Sequence, residues 1–75
     1  MNFDVELDAR GLNCPLPILR AKKSLTAMSS GAVIKVMATD PGAVKDFQAF
    51  AKQTGNELLA SDETGGDYVF FLRKA

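Results

Sequence analysis

The chain has 75 residues, 47% of them hydrophobic and 24% charged, a length that suits one small domain over residues 1–75. Nine basic and nine acidic side chains cancel, so no bulk charge attracts a nucleic-acid backbone and we expect no direct nucleic-acid partner. One cysteine and no histidine exclude an internal disulfide, a Cys/His zinc site within one chain, and Cys-His or Ser-His nucleophile pairs. We therefore expect neither a metal nor a cofactor.

The amino-terminal residues Met1 to Val5 have neither the basic nor the apolar segment of a signal peptide. No apolar run approaches the length of about 18 residues that a bilayer crossing needs. We therefore expect a cytoplasmic protein that has no membrane partner. We also expect it to be a monomer that forms transient complexes.

The first predicted element is a strand over Phe3 to Asp8, because apolar and acidic residues alternate there with a period of two. A loop containing glycine and asparagine follows. Pro15 suits the first helical position, where the missing N–H is no loss, and Pro17 falls within the first turn. The first helix is thus predicted to begin at Pro15, with Cys14 as its N-cap or the last residue before it.

The first helix is predicted to run to about Met28, since apolar residues recur on one stripe at helical spacing. The residues of this stripe are Ile18, Ala21, Leu25 and Met28. Ser29 to Gly31 then end the helix, because Gly31 suits the left-handed position after a C-cap. The β-branched segment Ala32 to Ala38 is predicted as the second strand.

The second helix is expected to start as the first does. Asp40 suits the N-cap and Pro41 the first helical position, and an apolar stripe follows until Gly55 ends the helix. Glu57 to Ser61 and Tyr68 to Arg73 are predicted as two strands of a hairpin, joined by a polar loop over residues 62–67.

The element order βαβαββ predicts an α+β fold, a two-layer sandwich in which two helices cover one face of a mixed four-stranded sheet. Right-handed crossovers make the first two strands parallel, while the strand order stays open. The last strand is apolar on both faces. Val69 and Phe71 therefore lie either in a partly sheltered central strand or on a surface that binds a partner.

Cys14 is the candidate reactive residue. A lone cysteine is usually a small buried hydrophobic residue, but a Cys-Pro junction at a helix start places the sulfur near the surface and near unpaired N–H groups. The positive end of the helix dipole is expected to favour the thiolate and so to lower the thiol pKa. Because the chain has no histidine, activation of the thiol would depend on this helix terminus.

Charged residues near the thiol are candidates for a supporting role. Asp40 follows the second strand and would lie beside Cys14 if the first two strands are parallel; the alternative is a simple helix cap. Arg10 would raise the local positive potential, or is merely solvated. Asp46 is a weaker candidate than Asp40.

A docking surface is predicted next to the cysteine on the first helix. Leu16 and Leu19 fall outside the buried stripe and share an exposed sector with Lys22 and Lys23. Exposed leucines beside a reactive group suggest a protein partner, although scattered surface leucines and solvated lysines are the ordinary alternative.

The segment Leu7 to Pro17 resembles the signature of the TusA/SirA/YedF family of small sulfur-carrier proteins, whose hallmark is Cys-Pro-x-Pro at a helix start. Four further segments are similar to those of the family, so the resemblance covers essentially the whole chain. These segments are residues 21–23, 36–43, 45–47 and 54–58.

The resemblance implies the same βαβαββ fold and a cysteine, here Cys14, that carries sulfur as a persulfide, with Pro15 and Pro17 as its rigid helix start. It implies a donor of the cysteine desulfurase or rhodanese type. The implied acceptors are relay proteins for tRNA thiolation, molybdenum-cofactor assembly or sulfur oxidation. The sequence does not decide whether such a sulfurtransferase is an enzyme or a co-substrate of its partners.

Two other functions stay open at this point. One is an interaction or regulatory module in which Cys14 is structural, and the other is a thiol redox switch that works through mixed disulfides.

Overall fold

The computed structural model describes residues 2–75. The elements follow in the order β1 (Val5–Ala9), α1 (Leu16–Thr26), β2 (Val33–Ala38), α2 (Ala43–Thr54), β3 (Glu57–Thr64) and β4 (Asp67–Arg73). The strands form one four-stranded sheet in the order β1-β2-β4-β3. Strands β1 and β2 are parallel, and the other two pairs are antiparallel. The predicted α+β fold with a mixed sheet is confirmed.

The core lies between the helices and one face of the sheet. Alternate residues of β2 (Ile34, Val36 and Ala38) are fully buried against the helices, as a period of two requires. Phe47 of α2 stacks on Phe70 of β4 with ring centroids 4.5 Å apart, and neither ring is exposed. Among residues 2–75, no helix is long and apolar enough to cross a membrane.

Helix α1 begins one residue later than the prolines predict. Pro15 is the N-cap, and its carbonyl accepts the N–H of Leu19 at 3.1 Å, so the prediction that Pro15 is the first helical residue is wrong. Cys14 therefore precedes the cap, and the Cys14–Pro15 peptide bond is cis. Pro17 lies buried in the first turn, as predicted. The helix ends at Thr26, before the predicted boundary, although Met28 still packs against the core.

Helix α2 also begins later than predicted, at Ala43, with Gly42 as its N-cap. The assignment of Asp40 as N-cap and Pro41 as first helical residue is therefore wrong. The physical reason is that one carboxylate oxygen of Asp40 accepts the N–H of Gly42 at 3.1 Å, ahead of the helix. The other carboxylate oxygen accepts the N–H of Cys14, which lies in a different loop. Gly55 ends α2 with φ 78°, the left-handed conformation expected of a C-terminal glycine.

The hairpin of β3 and β4 is longer than predicted. The intervening Gly65 and Gly66 have φ values of 57° and 89°, which is the backbone of a two-residue turn matched to the twist of a hairpin. Pairing starts immediately beside this turn, at Thr64 and Asp67. Most of the predicted polar loop is consequently strand.

The outer face of the sheet carries Val69 and Phe71, for which the sequence pattern left open a sheltered position or a partner surface. Strand β4 lies between β2 and β3, and its Val69 and Phe71 are half-buried, so the strand is central and partly sheltered. Phe3 contributes to this shelter, with its ring centroid 6.3 Å from that of Phe71. The predicted strand over Phe3 to Asp8 is thus wrong at its start, because β1 begins at Val5 and Phe3 remains 42% exposed.

We expect Phe70→Ala to lower the free energy of unfolding by about 3–5 kcal/mol, because it removes a fully buried ring from the core. Urea denaturation followed by circular dichroism measures this loss. Phe3→Ala is the matched control and should cost only about 1 kcal/mol, since it removes one partly exposed aromatic contact. Equal losses in the two variants would contradict the described core.

Candidate functional site

The candidate site lies where two loops leave the same edge of the sheet. Parallel pairing of β1 and β2 places Ala9 directly beside Ala38. The loop of residues 10–15, which carries Cys14, and the loop of residues 39–42 therefore emerge together. The two loops lead into the starts of α1 and α2, so both helix starts lie beside the cysteine.

Two side chains of the second loop hold the backbone of the first. Oγ1 of Thr39 accepts the N–H of Gly11 at 2.9 Å, and Oδ2 of Asp40 accepts the N–H of Cys14 at 2.7 Å. These bonds provide partners for loop amides that the helices and strands leave unpaired. Gly11 has φ 81°, a conformation that favours glycine. The position of Cys14 is thus fixed from outside its own loop.

The thiol of Cys14 is exposed, and its Sγ–H donates to Oδ2 of Asp46 at 2.7 Å. This hydrogen bond raises the pKa of the Cys14 thiol, and partial desolvation and the negative charges of Asp46 and Asp40 act in the same direction. The expectation that the helix terminus lowers this pKa is therefore wrong. The reason is that the carboxylate of Asp46, which accepts the hydrogen bond of the thiol, and the charge of Asp40 both favour the protonated form.

The structure reverses the ranking of the two aspartates. Asp40 does lie beside Cys14, but it binds the backbone amide, whereas Asp46 contacts the sulfur. Asp46 stands in the first turn of α2, so its side chain reaches the sheet edge where the loops meet. The sequence signal that could have identified Asp46 as the contact of the thiol is its place as an acidic residue in the first turn of the helix that follows β2.

Arg10 is directed away from the thiol. Its guanidinium donates through Nε to Asp8 at 2.9 Å and through Nη1 to Asp67 at 3.4 Å. The contact lowers the pKa of Asp8 to about 2, and the two carboxylates raise the pKa of Arg10. The structure therefore does not bring Arg10 to Cys14, and the expected positive potential at the sulfur is not supplied by this side chain.

A groove between the two helices opens beside the cysteine, with a volume of about 230 Å³. Its lining consists of Cys14, Pro15, Ile18, Asp46, Ala49, Phe50 and Gln53. Sites for small molecules usually measure roughly 300–1,000 Å³. The groove is thus better suited to a single side chain of another protein than to a cofactor. Its walls are mostly apolar, and the carboxylate of Asp46 stands near the thiol.

The residues of the predicted docking surface are all exposed. Leu16 and Leu19 expose 43% and 54% of their surface, and Lys22 and Lys23 are exposed on the same helix. The start of α1 lies directly after Cys14, so this surface adjoins the groove. Leu16 follows Cys14 by two residues in the chain, and the lysines lie further along the same helix.

Comparison with known proteins identifies sulfur carriers as relatives of this chain. The protein-family model described as Sulfurtransferase TusA matches residues 5–74. The chain is 70% identical over 74 residues to the sulfur carrier protein TusA of Allochromatium vinosum, covering 99% of this chain and 97% of the relative. It is 52% identical over 67 residues to a putative sulfur carrier protein of Neisseria meningitidis serogroup A, covering 89% of this chain and 90% of the relative.

A solved structure shows the same fold. The crystal structure of a SirA-like protein from Desulfitobacterium hafniense matches with a TM-score of 0.83 at 26% identity, covering 93% of this chain and 96% of that one. The matches in sequence extend over nearly the whole chain and include the Cys-Pro-x-Pro segment. The chain therefore belongs to the TusA family of sulfur carriers.

Proposed function

We propose that this sulfur carrier accepts sulfane sulfur on Cys14 as a persulfide and passes it to an acceptor protein. The observation that carries the proposal is the exposed position of the chain's one cysteine, which is held at the mouth of a groove by hydrogen bonds from a second loop. Pro15 and Pro17 define the helix start that follows the sulfur. A thiol that must meet the sulfur of another protein needs this exposure.

The transfer follows thiol–disulfide chemistry. Sγ of Cys14 attacks the outer sulfur of a donor persulfide, and a new S–S bond forms between them. The S–S bond of the donor breaks, and its electron pair leaves on the donor's cysteine sulfur, which takes up the proton that Cys14 loses. Sulfane sulfur thus moves from one thiol to another without net oxidation. The acceptor is loaded in the same way, when its thiol attacks the outer sulfur of the Cys14 persulfide and the bond to Sγ of Cys14 breaks.

The partners of this chain are a sulfur donor of the cysteine desulfurase or rhodanese type and a relay or acceptor protein for tRNA thiolation, cofactor assembly or sulfur oxidation. The carrier acts as a cytoplasmic monomer in transient complexes. Exposed Leu16, Leu19, Lys22 and Lys23 form the docking surface.

We expect Cys14→Ser to lose all sulfur labelling from a cysteine desulfurase with its substrate, or from polysulfide, because serine cannot form a persulfide. Intact-protein mass spectrometry measures the adduct. The double variant Cys14→Ser/Ser61→Cys moves the thiol to an exposed position on β3 and is the control. It should load from polysulfide but not from the desulfurase. Labelling retained by Cys14→Ser would contradict the assignment.

Leu19→Glu and Lys23→Glu should slow transfer from the desulfurase severalfold, because they change the exposed surface next to the thiol. Loading from polysulfide should remain at the wild-type rate, since a small donor needs no docking. Single-turnover transfer followed by mass spectrometry measures both rates. Lys52→Glu, which makes the same charge change as Lys23→Glu at an exposed position of α2, is the control. Wild-type transfer by both α1 variants would show that the partner docks elsewhere.

A further inference from the structure

The hydrogen bond between Cys14 and Asp46 gives the thiol surroundings that are unusual for a nucleophile. Reactive cysteines generally lie in electropositive surroundings that favour the thiolate. Here the charged groups beside the sulfur are the carboxylates of Asp46, from α2, and Asp40, from the preceding loop. The cation that the sequence suggested for this site, Arg10, is instead bound to Asp8 and Asp67. Both carboxylates favour the neutral thiol over the thiolate.

We propose that Asp46 keeps the thiol of the empty carrier protonated, and that a cationic side chain of a sulfur-relay partner enters the groove, pairs with Asp46 and thereby releases Cys14 for attack. This inference rests on the proposed function of Cys14 as the sulfur-carrying residue. It makes fast attack a property of the complex, while the free carrier still reacts slowly with small donors such as polysulfide. It also identifies the partner as a protein with an arginine or lysine close to its own sulfur.

The shape and polarity of the groove support a long cationic side chain as its occupant. Ile18, Ala49 and Phe50 supply apolar walls for the methylene stem of an arginine or lysine. Asp46 lines the same groove and supplies the opposite charge for the head group, which in arginine can bind both carboxylate oxygens. An entirely apolar side chain would pack against the walls of the groove but would leave the carboxylate of Asp46 without a counter-charge.

The chemical consequence is a change in protonation before sulfur moves. When the cation pairs with Asp46, the carboxylate no longer accepts the Sγ–H bond, and the thiol loses its proton to water. The thiolate then attacks the outer sulfur of the partner's persulfide, forming one S–S bond as the partner's S–S bond breaks. The electron pair of the broken bond leaves on the partner's sulfur, which water reprotonates. No oxidant or reductant is consumed.

The first test is the pH profile of alkylation by iodoacetamide, whose rate follows the thiolate fraction. The wild type should react slowly at neutral pH and faster only as the pH rises towards the raised pKa of Cys14. Asp46→Asn should react severalfold faster at neutral pH, with its profile shifted to lower pH, and Asp46→Glu should stay close to the wild type. Asp62→Asn removes the same charge from an exposed position of β3 and should have no effect.

The second test places a cation in the groove of the carrier itself. Ala49→Arg stands three residues after Asp46 on the same face of α2, so its guanidinium can pair with that carboxylate. We expect it to shift the alkylation profile to lower pH. Gln48→Arg, which adds the same charge at a position that does not face Asp46, should leave the profile unchanged. Ala49→Leu, which fills the groove without charge, should also leave it unchanged.

The outcomes separate this inference from the proposed function. Wild-type profiles in both Asp46→Asn and Ala49→Arg would overturn the control by Asp46, while loading of Cys14 from polysulfide in the same variants would leave its carrier role intact. An equal shift in Ala49→Leu would show that filling the groove, and not the positive charge, alters the thiol, and it would overturn the cationic occupant. Absence of polysulfide loading in the wild type would contradict the proposed function itself. If Asp46→Asn does not fold, Ala49→Arg decides the question alone.

Discussion

The parallel pairing of β1 with β2 is the constraint on which the site depends. It brings two loops that are far apart in sequence to one sheet edge, where Thr39 and Asp40 bind the amides of Gly11 and Cys14. Loop amides without such partners would have to bind water, and the cysteine would move with its loop. The β-sheet thus supplies both the fold and the position of the reactive sulfur.

The electrostatics of the site follow from the same arrangement. Because both helix starts meet at this edge, the first turn of α2 brings the Asp46 carboxylate to the thiol at the beginning of α1. The carboxylate of Asp46 accepts the hydrogen bond of the thiol, and its charge and that of Asp40 raise the pKa of Cys14.

The two faces of the sheet have different roles. The inner face carries the buried residues on which both helices pack, with the stacked rings of Phe47 and Phe70 at their contact. The outer face is only partly sheltered, with Phe3 against Phe71 and Lys35 lying 5.3 Å from the centre of the Phe3 ring. Packing against the inner face therefore positions both helices, and the helices form the two walls of the groove beside Cys14.

The sequence by itself determined the element order, the apolar stripes of the two helices, and Cys14 as the reactive candidate, because periodicity and helix-start chemistry act between near neighbours. The boundary predicted at Asp40 was misplaced, because its side chain accepts the N–H groups of Gly42 and Cys14 ahead of α2. The boundary at Pro15 was misplaced by one residue. Only the tertiary structure decided the strand order, the groove and the contact of Asp46 with the thiol. Cys14 and Asp46 are 32 residues apart, and their meeting depends on how the sheet pairs and not on any local pattern.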